Sequence, residues 1–221
     1  MATRLGKLSQ DRPKYLMEVA PGKVFADVHL RWAQEQGFRE VVLCVGNLAE
    51  MIEDHCGDGE RWGVKITYIH DGPTRLGTGG ALRRAWNMRK DPLFAVTYGD
   101  TLLTLHADEL FAKLEADPKA QGLMTVFKNT LQGHRCNVRL DGKWALYDKE
   151  NPPTDAEHID YGFLVFKEDF IAQISKEPQD LAVALAHCAK SKQLLAHEVY
   201  ERFWEIGSLE ALEEFQSKAN K

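Results

Sequence analysis

Apolar residues along the first two thirds of the chain switch repeatedly between strand-like runs and helical spacing. Val41-Val42-Leu43-Cys44-Val45-Gly46 is a continuous β-branched run closed by glycine, the pattern of a strand buried on both faces. Upstream of it Phe25, Val28, His29, Trp32 and Ala33 recur at helical spacing, and downstream Leu48, Met51, Ile52 and His55 do the same. The alternation continues with a strand from Val64 to Ile69, a helix from Gly80 to Met88, a strand from Leu93 to Tyr98 and a helix from Ala107 to Glu115. Strands joined by helices in this way favour a parallel sheet with helices on both faces.

After Gln121 the pattern turns to short strands at Leu123–Phe127, Asn137–Leu140 and Trp144–Tyr147, the last two separated by Asp141-Gly142. Asp-Gly between alternating runs is a strong hairpin signal. A strand at Tyr161–Phe166 leads into helical stretches around Phe170 and at Leu181–Cys188. The chain closes with Ala196 to Ile206 and a helix that Ser208 can cap, with Leu209, Leu212 and Phe215 as its apolar stripe. The whole predicts one α/β domain over 1–221: a Rossmann-like, three-layer, mixed but mainly parallel sheet with a hairpin-rich second half.

Composition narrows the class. With 221 residues, 44% of them hydrophobic, the chain can bury a core without disulfides or a structural metal. A net charge of −5 argues against nucleic acid or an anionic membrane as a partner held by basic charge, and no apolar run approaches the ~20 residues of a membrane span. Cys44, Cys56, Cys136 and Cys188 fit neither a zinc site nor a compact disulfide framework, and the polar N-terminus lacks a signal peptide's apolar centre. A cytoplasmic protein with reduced thiols is the expectation.

Four segments carry candidate chemistry. Asp100 follows the Leu93–Tyr98 strand, where α/β sheets place ligands, and reads either as a turn cap or as a ligand to metal or substrate. Arg75-Leu76-Gly77-Thr78-Gly79-Gly80 sets three glycines ahead of a helix, either a plain turn or a loop whose backbone N–H groups approach a ligand. Asp11-Arg12-Pro13-Lys14, close to Arg4, is either solvated charge or an anion site. Glu205 stands between Trp204 and Ile206, a carboxylate facing water or one that is paired or bound to metal.

Their order along the chain, Thr-Arg-Leu, Asp-Arg-Pro-Lys, Leu-Gly-Thr-Gly-Gly-Ala-Leu, Gly-Asp and an acidic residue before Ile-Gly-Ser, resembles the sugar-1-phosphate nucleotidyltransferases from Thr3 to about Phe215. The short single-domain type, which includes heptose-1-phosphate guanylyltransferases and N-acetylmuramate-1-phosphate uridylyltransferases, is the most similar. The resemblance implies a Mg²⁺-dependent transfer from a nucleoside triphosphate to a sugar 1-phosphate with release of pyrophosphate. It implies that Arg4 and Lys14 hold the triphosphate, that Leu76, Gly77, Thr78, Gly79 and Gly80 read the nucleobase, and that Asp100 and Glu205 ligate the metal. Asp148 and Lys149 stand where the family has Glu-Lys near the sugar and its phosphate, and Asp160-Tyr161-Gly162 where it has Asn-Ala-Gly at the sugar hydroxyls. Residues 1–120 would then be a nucleotide-binding half and 121–221 a sugar-binding half.

Family members also carry an apolar strand and Leu-Ala-Gly-Gly before Thr-Arg-Leu, and here only Met1-Ala2 stand there. This leaves two expectations: an N-terminally shortened version of an active enzyme, or a weakly active or inactive nucleotide-sugar binder with a regulatory role. An unpaired sheet interior would invite homo-oligomerisation. A nicotinamide-dependent oxidoreductase would need Gly-x-Gly-x-x-Gly after a first strand, which the sequence does not show.

Overall fold

Hydrogen bonding along the chain defines, in order, strands β1 (Glu18–Ala20) and β2 (Lys23–Val24), helix α1 (Phe25–Glu35), β3 (Glu40–Val45), α2 (Ala49–Cys56), β4 (Lys65–His70), α3 (Gly77–Arg89), β5 (Leu93–Thr97) and β6 (Thr101–Leu102). There follow α4 (Ala107–Glu115), β7 (Gly122–Lys128), β8 (Val138–Asp141), β9 (Trp144–Tyr147), β10 (His158–Lys167), α5 (Leu181–Lys190), β11 (Leu194–Val199), β12 (Trp204–Glu205) and α6 (Leu209–Ala219). The computed structural model describes residues 11–131 and 135–219. They form two compact units, one drawing on the chain up to Pro73, on Tyr98–Leu102 and on the chain from Phe203, the other on Thr74–Thr97 and Leu103–Arg202. These units do not follow the linear halves 1–120 and 121–221, because the chain returns to the first unit twice.

In the first unit α1 starts where Asp27 Oδ2 accepts the Val24 N–H at 2.9 Å. Its apolar stripe buries Phe25, Leu30 and Trp32, and Phe215 of α6 meets Phe25 edge-on with centroids 6.0 Å apart. The Ser208 hydroxyl accepts the Ala211 N–H at 3.2 Å, the cap expected for α6. β3 and β4 pair in parallel through the α2 crossover, Glu40 opposite Lys65 and Val45 opposite His70. The expected burial of β3 on both faces is not what the structure has: of its residues only Val45 is buried, and Cys44 is exposed. A run of β-branched residues specifies a strand but not its neighbours, and β4 is the sole strand partner of β3 among the described residues.

The second unit is a six-stranded sheet in the order β5-β10-β7-β11-β9-β8. All of β7 but Lys128 is buried, which needs cover on both faces. On one side Met124, Leu164, Phe166 and Leu194 pack with Leu181, Leu185 and Cys188 of α5, and Phe166 stacks on Phe170 at 3.9 Å. The alternate residues Leu123, Phe163 and Val165 are as deeply buried, on the side where α4 contributes Leu110 and Leu114. The unit is therefore a mixed α/β arrangement, and the expectation of a mainly parallel sheet needs correction. β11 on β7 is its parallel pair, whereas β10 runs antiparallel to β5, β7 and β8, and β9 to β11 and β8. Strand-helix alternation implies parallel neighbours only when successive strands pair, and β5 pairs instead with β10. The β8–β9 hairpin forms as expected, with Gly142 at φ 59° in its tight turn.

Candidate functional site

The first unit gathers Lys14, Asp100 and Glu205. Leu16 N–H donates to the Pro13 carbonyl and Met17 N–H to the Lys14 carbonyl, both at 2.9 Å, and the buried Tyr15 and Leu16 anchor the turn that carries Lys14. β6 and β12 run antiparallel with Glu205 opposite Thr101, so Glu205 lies across the ladder from the residue after Asp100. Two further bonds fix the corner: the Ile206 N–H donates to the Asp100 carbonyl at 2.9 Å, and the Thr101 hydroxyl to Asp100 Oδ1 at 3.3 Å. Lys14 Nζ stands 3.5 Å from Asp100 Oδ2. The strand-end position of Asp100 was legible in sequence; Thr101, which steadies its carboxylate from a buried site, was not. Arg4 lies outside the described residues.

Magnesium prefers hard oxygen donors, commonly one or two carboxylates with substrate phosphates and water completing the shell. Asp100, immediately before β6, and Glu205, on the paired β12, are two carboxylates that could contribute to such a set. No group of three or more His, Cys, Asp or Glu able to hold a metal occurs among the described residues.

The second unit holds the other candidates. The glycines expected ahead of a helix form the first turn of α3 itself, and they are packed against the chain rather than open. A Cβ at Gly77, where φ is 71°, would lie 2.5 Å from the Gln179 carbonyl oxygen, and one at Gly79 would lie 3.0 Å from it. That carbonyl accepts the N–H groups of Gly79 and Gly80 at 2.9 and 3.3 Å, while Gln179 N–H donates to the Leu76 carbonyl at 2.9 Å. These donors are thus engaged within the chain. The segment also borders an open cleft of about 370 Å³, lined by Leu76 and Gly80 with Arg83, Arg84, Asn87 and Ser175–Pro178.

Asp148 shapes a turn, its Oδ1 accepting the N–H groups of Glu150 and Asn151 at 2.9 and 2.8 Å. Asp160 does the same for a kink in β10, accepting the Gly162 N–H at 3.0 Å where the register against β7 shifts. Asn137 Oδ1 accepts the Asp160 N–H at 3.0 Å. Tyr161 as a whole residue is only 1% exposed and its hydroxyl accepts the Thr104 N–H at 3.1 Å, so its side chain faces the core. Burial pushes the Tyr147 phenol up, and the negative charges of Asp160, Asp180, Asp148 and Glu150 push it the same way.

One residue that sequence reasoning passed over links the loop to the lysine. Asp180, the N-cap of α5, accepts the Ala182 N–H at 3.0 Å and the Thr78 hydroxyl at 3.1 Å on Oδ1, and the Lys149 ammonium at 2.7 Å on Oδ2. Partial burial raises the Asp180 carboxyl, but the bonds from Lys149, Ala182 and Thr78 outweigh it and hold it below the usual carboxylate range. An aspartate just before a helix was its sole sequence signal, and that signal speaks of capping.

The chain belongs to the nucleotidyl transferase family, whose sequence profile matches residues 1–221. It is 32% identical over 116 residues to N-acetylmuramate alpha-1-phosphate uridylyltransferase of Neisseria meningitidis serogroup B, a match covering 52% of this chain and 50% of that protein. It is 31% identical over 190 residues to UTP–glucose-1-phosphate uridylyltransferase of Synechocystis, covering 78% of this chain and 48% of that protein. The matches thus span about half the length of these relatives. Among solved structures, HddC from Yersinia pseudotuberculosis superposes with a TM-score of 0.79 at 19% identity, over 98% of this chain and 94% of that one, a likeness of fold.

Proposed function

We propose that this protein transfers a nucleotidyl group from a nucleoside triphosphate to a sugar 1-phosphate, giving a nucleotide-sugar and pyrophosphate, with magnesium bound. The observation that supports this most directly is the Lys14 ammonium 3.5 Å from the strand-end Asp100 carboxylate in a chain of this family. Both curated relatives are named for acting on a sugar 1-phosphate. In the reaction a phosphate oxygen of the sugar 1-phosphate bonds to the α-phosphorus, the bond from that phosphorus to its bridging oxygen breaks, and pyrophosphate leaves with the charge. Catalysis of such a transfer is mostly positioning and charge stabilisation.

Asp100 and Glu205 are the residues that would hold Mg²⁺, which when bound neutralises phosphate charge. Lys14 supplies positive charge against the negative charge of the triphosphate and its leaving group, the role that the family resemblance also gives Arg4. The Leu76–Gly80 loop takes the nucleobase, with the Thr78 side chain and the cleft side of Leu76 as its exposed features. Lys149 takes the phosphate of the sugar, and the Asp160-Tyr161-Gly162 segment, through the half-buried Asp160 carboxylate, takes its hydroxyls.

The reading extends to a cytoplasmic protein with reduced thiols, resting on a cysteine spacing that fits neither a zinc site nor a compact disulfide framework. It extends also to self-association, supported by the half-exposed apolar strand β3. No helix among the described residues is long and apolar enough to cross a membrane.

The test is a panel of nucleoside triphosphates against sugar 1-phosphates, read as pyrophosphate release with and without Mg²⁺. Release with at least one pair, dependent on Mg²⁺, is the expected result. Silence with every pair, together with retained binding of a nucleotide-sugar, would replace the enzyme by a binder.

A further inference from the structure

The segment Gln179–Leu181 holds two of the candidate substrate elements at once. Through Gln179 it is bonded to Leu76, Gly79 and Gly80, and the Leu181 N–H donates to the Thr78 hydroxyl oxygen at 2.9 Å. The Thr78 hydroxyl donates in turn to Asp180 Oδ1, and the other carboxylate oxygen takes the Lys149 ammonium. Thr78 and Asp180, 102 positions apart in sequence, are thus joined directly through their side chains.

The Lys149 and Asp180 side chains are 51% and 48% exposed. An ion pair that wet adds next to nothing to stability, so folding does not account for it. A lysine on four rotatable bonds has, by contrast, much to gain from a fixed partner: its ammonium is ordered before a ligand arrives, and the ordering cost is removed from binding. The exposure that makes the pair poor for stability also leaves the ammonium open to an incoming dianion.

We propose that Asp180 is a positioning residue for both substrates, aiming Lys149 at the phosphate of the sugar 1-phosphate and bracing Thr78 in the nucleotide loop. This rests on the nucleotidyl-transfer reading and deepens it. The two carboxylate oxygens divide the work: Oδ1 serves the helix cap and Thr78, Oδ2 serves Lys149. Replacing each role separately is therefore possible.

Asp180→Asn keeps an oxygen for the Ala182 N–H and for Thr78, since asparagine is as good a cap as aspartate, but turns an amide toward Lys149. Its KM for sugar 1-phosphate is expected to rise about tenfold, with the triphosphate KM changed by less than about twofold and the thermal midpoint unmoved. Thr78→Val should do the converse, raising the triphosphate KM while sparing that of the sugar phosphate. In a Lys149→Met background Asp180→Asn should add nothing to the sugar-phosphate KM, as for two residues acting through one contact. The proposal is overturned if Asp180→Asn leaves both KM values at the parent's, or raises both in step with a fall in thermal midpoint, or still raises the sugar-phosphate KM in the Lys149→Met background. A parent chain that releases no pyrophosphate with any substrate pair overturns the functional reading itself, and with it this proposal; an active parent with an unaffected Asp180→Asn overturns this proposal alone.

Discussion

Lys14 Nζ lies 3.5 Å from Asp100 Oδ2, with 27% and 36% of the two side chains exposed. At that exposure the pair stabilises the fold by roughly 0–1 kcal/mol, so its value lies in what each partner offers a ligand. The Asp100 side is set by the β6–β12 ladder and the Lys14 side by the buried Tyr15 and Leu16. Neither depends on the other for its place. Lys14→Met is therefore expected to fold like the parent, within about 1 kcal/mol by urea unfolding, while losing about a hundredfold in kcat/KM for the triphosphate. Lys14→Arg should recover part of the loss. A triphosphate kcat/KM unchanged in Lys14→Met would remove this residue from the reaction.

Glu205 sits opposite Thr101 on a two-residue strand, and its carboxylate folds back beside Gly207, where a Cβ would come within 3.5 Å of Oε2. If Glu205 and Asp100 share one Mg²⁺, a Mg²⁺ titration of pyrophosphate release separates charge from reach. Glu205→Gln loses the charge and should raise the half-saturating Mg²⁺ by about tenfold or more, since hard cations favour anionic oxygen. Glu205→Asp keeps it on a shorter arm and should fall between. Asp100→Asn is expected to abolish Mg²⁺-dependent release. A titration curve in Glu205→Gln that overlays the parent's would exclude Glu205 from the metal site.

Gly77 and Gly142 both have positive φ, 71° and 59°, yet their surroundings differ. A Cβ at Gly142 meets nothing within 4 Å, so Gly142→Ala should cost only the left-handed backbone strain, about 1 kcal/mol. At Gly77 the same methyl would overlap the Gln179 carbonyl at 2.5 Å, and backbone cannot step aside as a flexible side chain can. Gly77→Ala should therefore cost about 3 kcal/mol or more and weaken nucleotide binding, because it separates the loop from the segment that braces it. Equal urea midpoints for the two variants would show that the loop does not rest on Gln179.

The parts of this fold that sequence revealed are those fixed by local chemistry. Helix α4 is bounded as its periodicity implied, and Asp141-Gly142 turns the β8–β9 hairpin as Asp-Gly does elsewhere. Sheet direction was not local: β5 finds β10 across the intervening β6, α4, β7, β8 and β9, and no pattern within β5 names that partner. The same limit explains Tyr161, which stood inside a motif read for sugar contact and proved to point into the core, because strand alternation and a kink decide its side. Asp100 was legible because a strand end is itself a location. Asp180 was not, since its bond to Thr78 exists only once segments far apart in sequence have docked.

His29 gives the fold an acid limit. The ring is 7% exposed, stacked between Phe25 and Trp32 with centroids 5.5 and 5.6 Å away, and its Nδ1 lies 3.1 Å from the Tyr15 hydroxyl. Nε2 is buried with no hydrogen-bond partner among the described residues. Burial pushes the imidazole down from 6.5 to about 4, so the folded protein holds it neutral at pH values where the unfolded chain has already protonated it. The sign follows: between about pH 6.5 and pH 4 the unfolded state binds more protons, and stability falls as pH falls through that window. At pH 5 the loss attributable to this one ring is about 2 kcal/mol relative to pH 7. His29→Phe removes the titration while leaving the Tyr15 hydroxyl without this hydrogen-bond partner, so it is expected to be less stable than the parent at pH 7 but less sensitive to acid. Urea midpoints of both proteins at pH 7 and pH 5 make the comparison, and other titrating groups cancel in the difference. A drop on acidification as large in His29→Phe as in the parent would mean that the imidazole is already protonated, or still accessible to protons, within the fold.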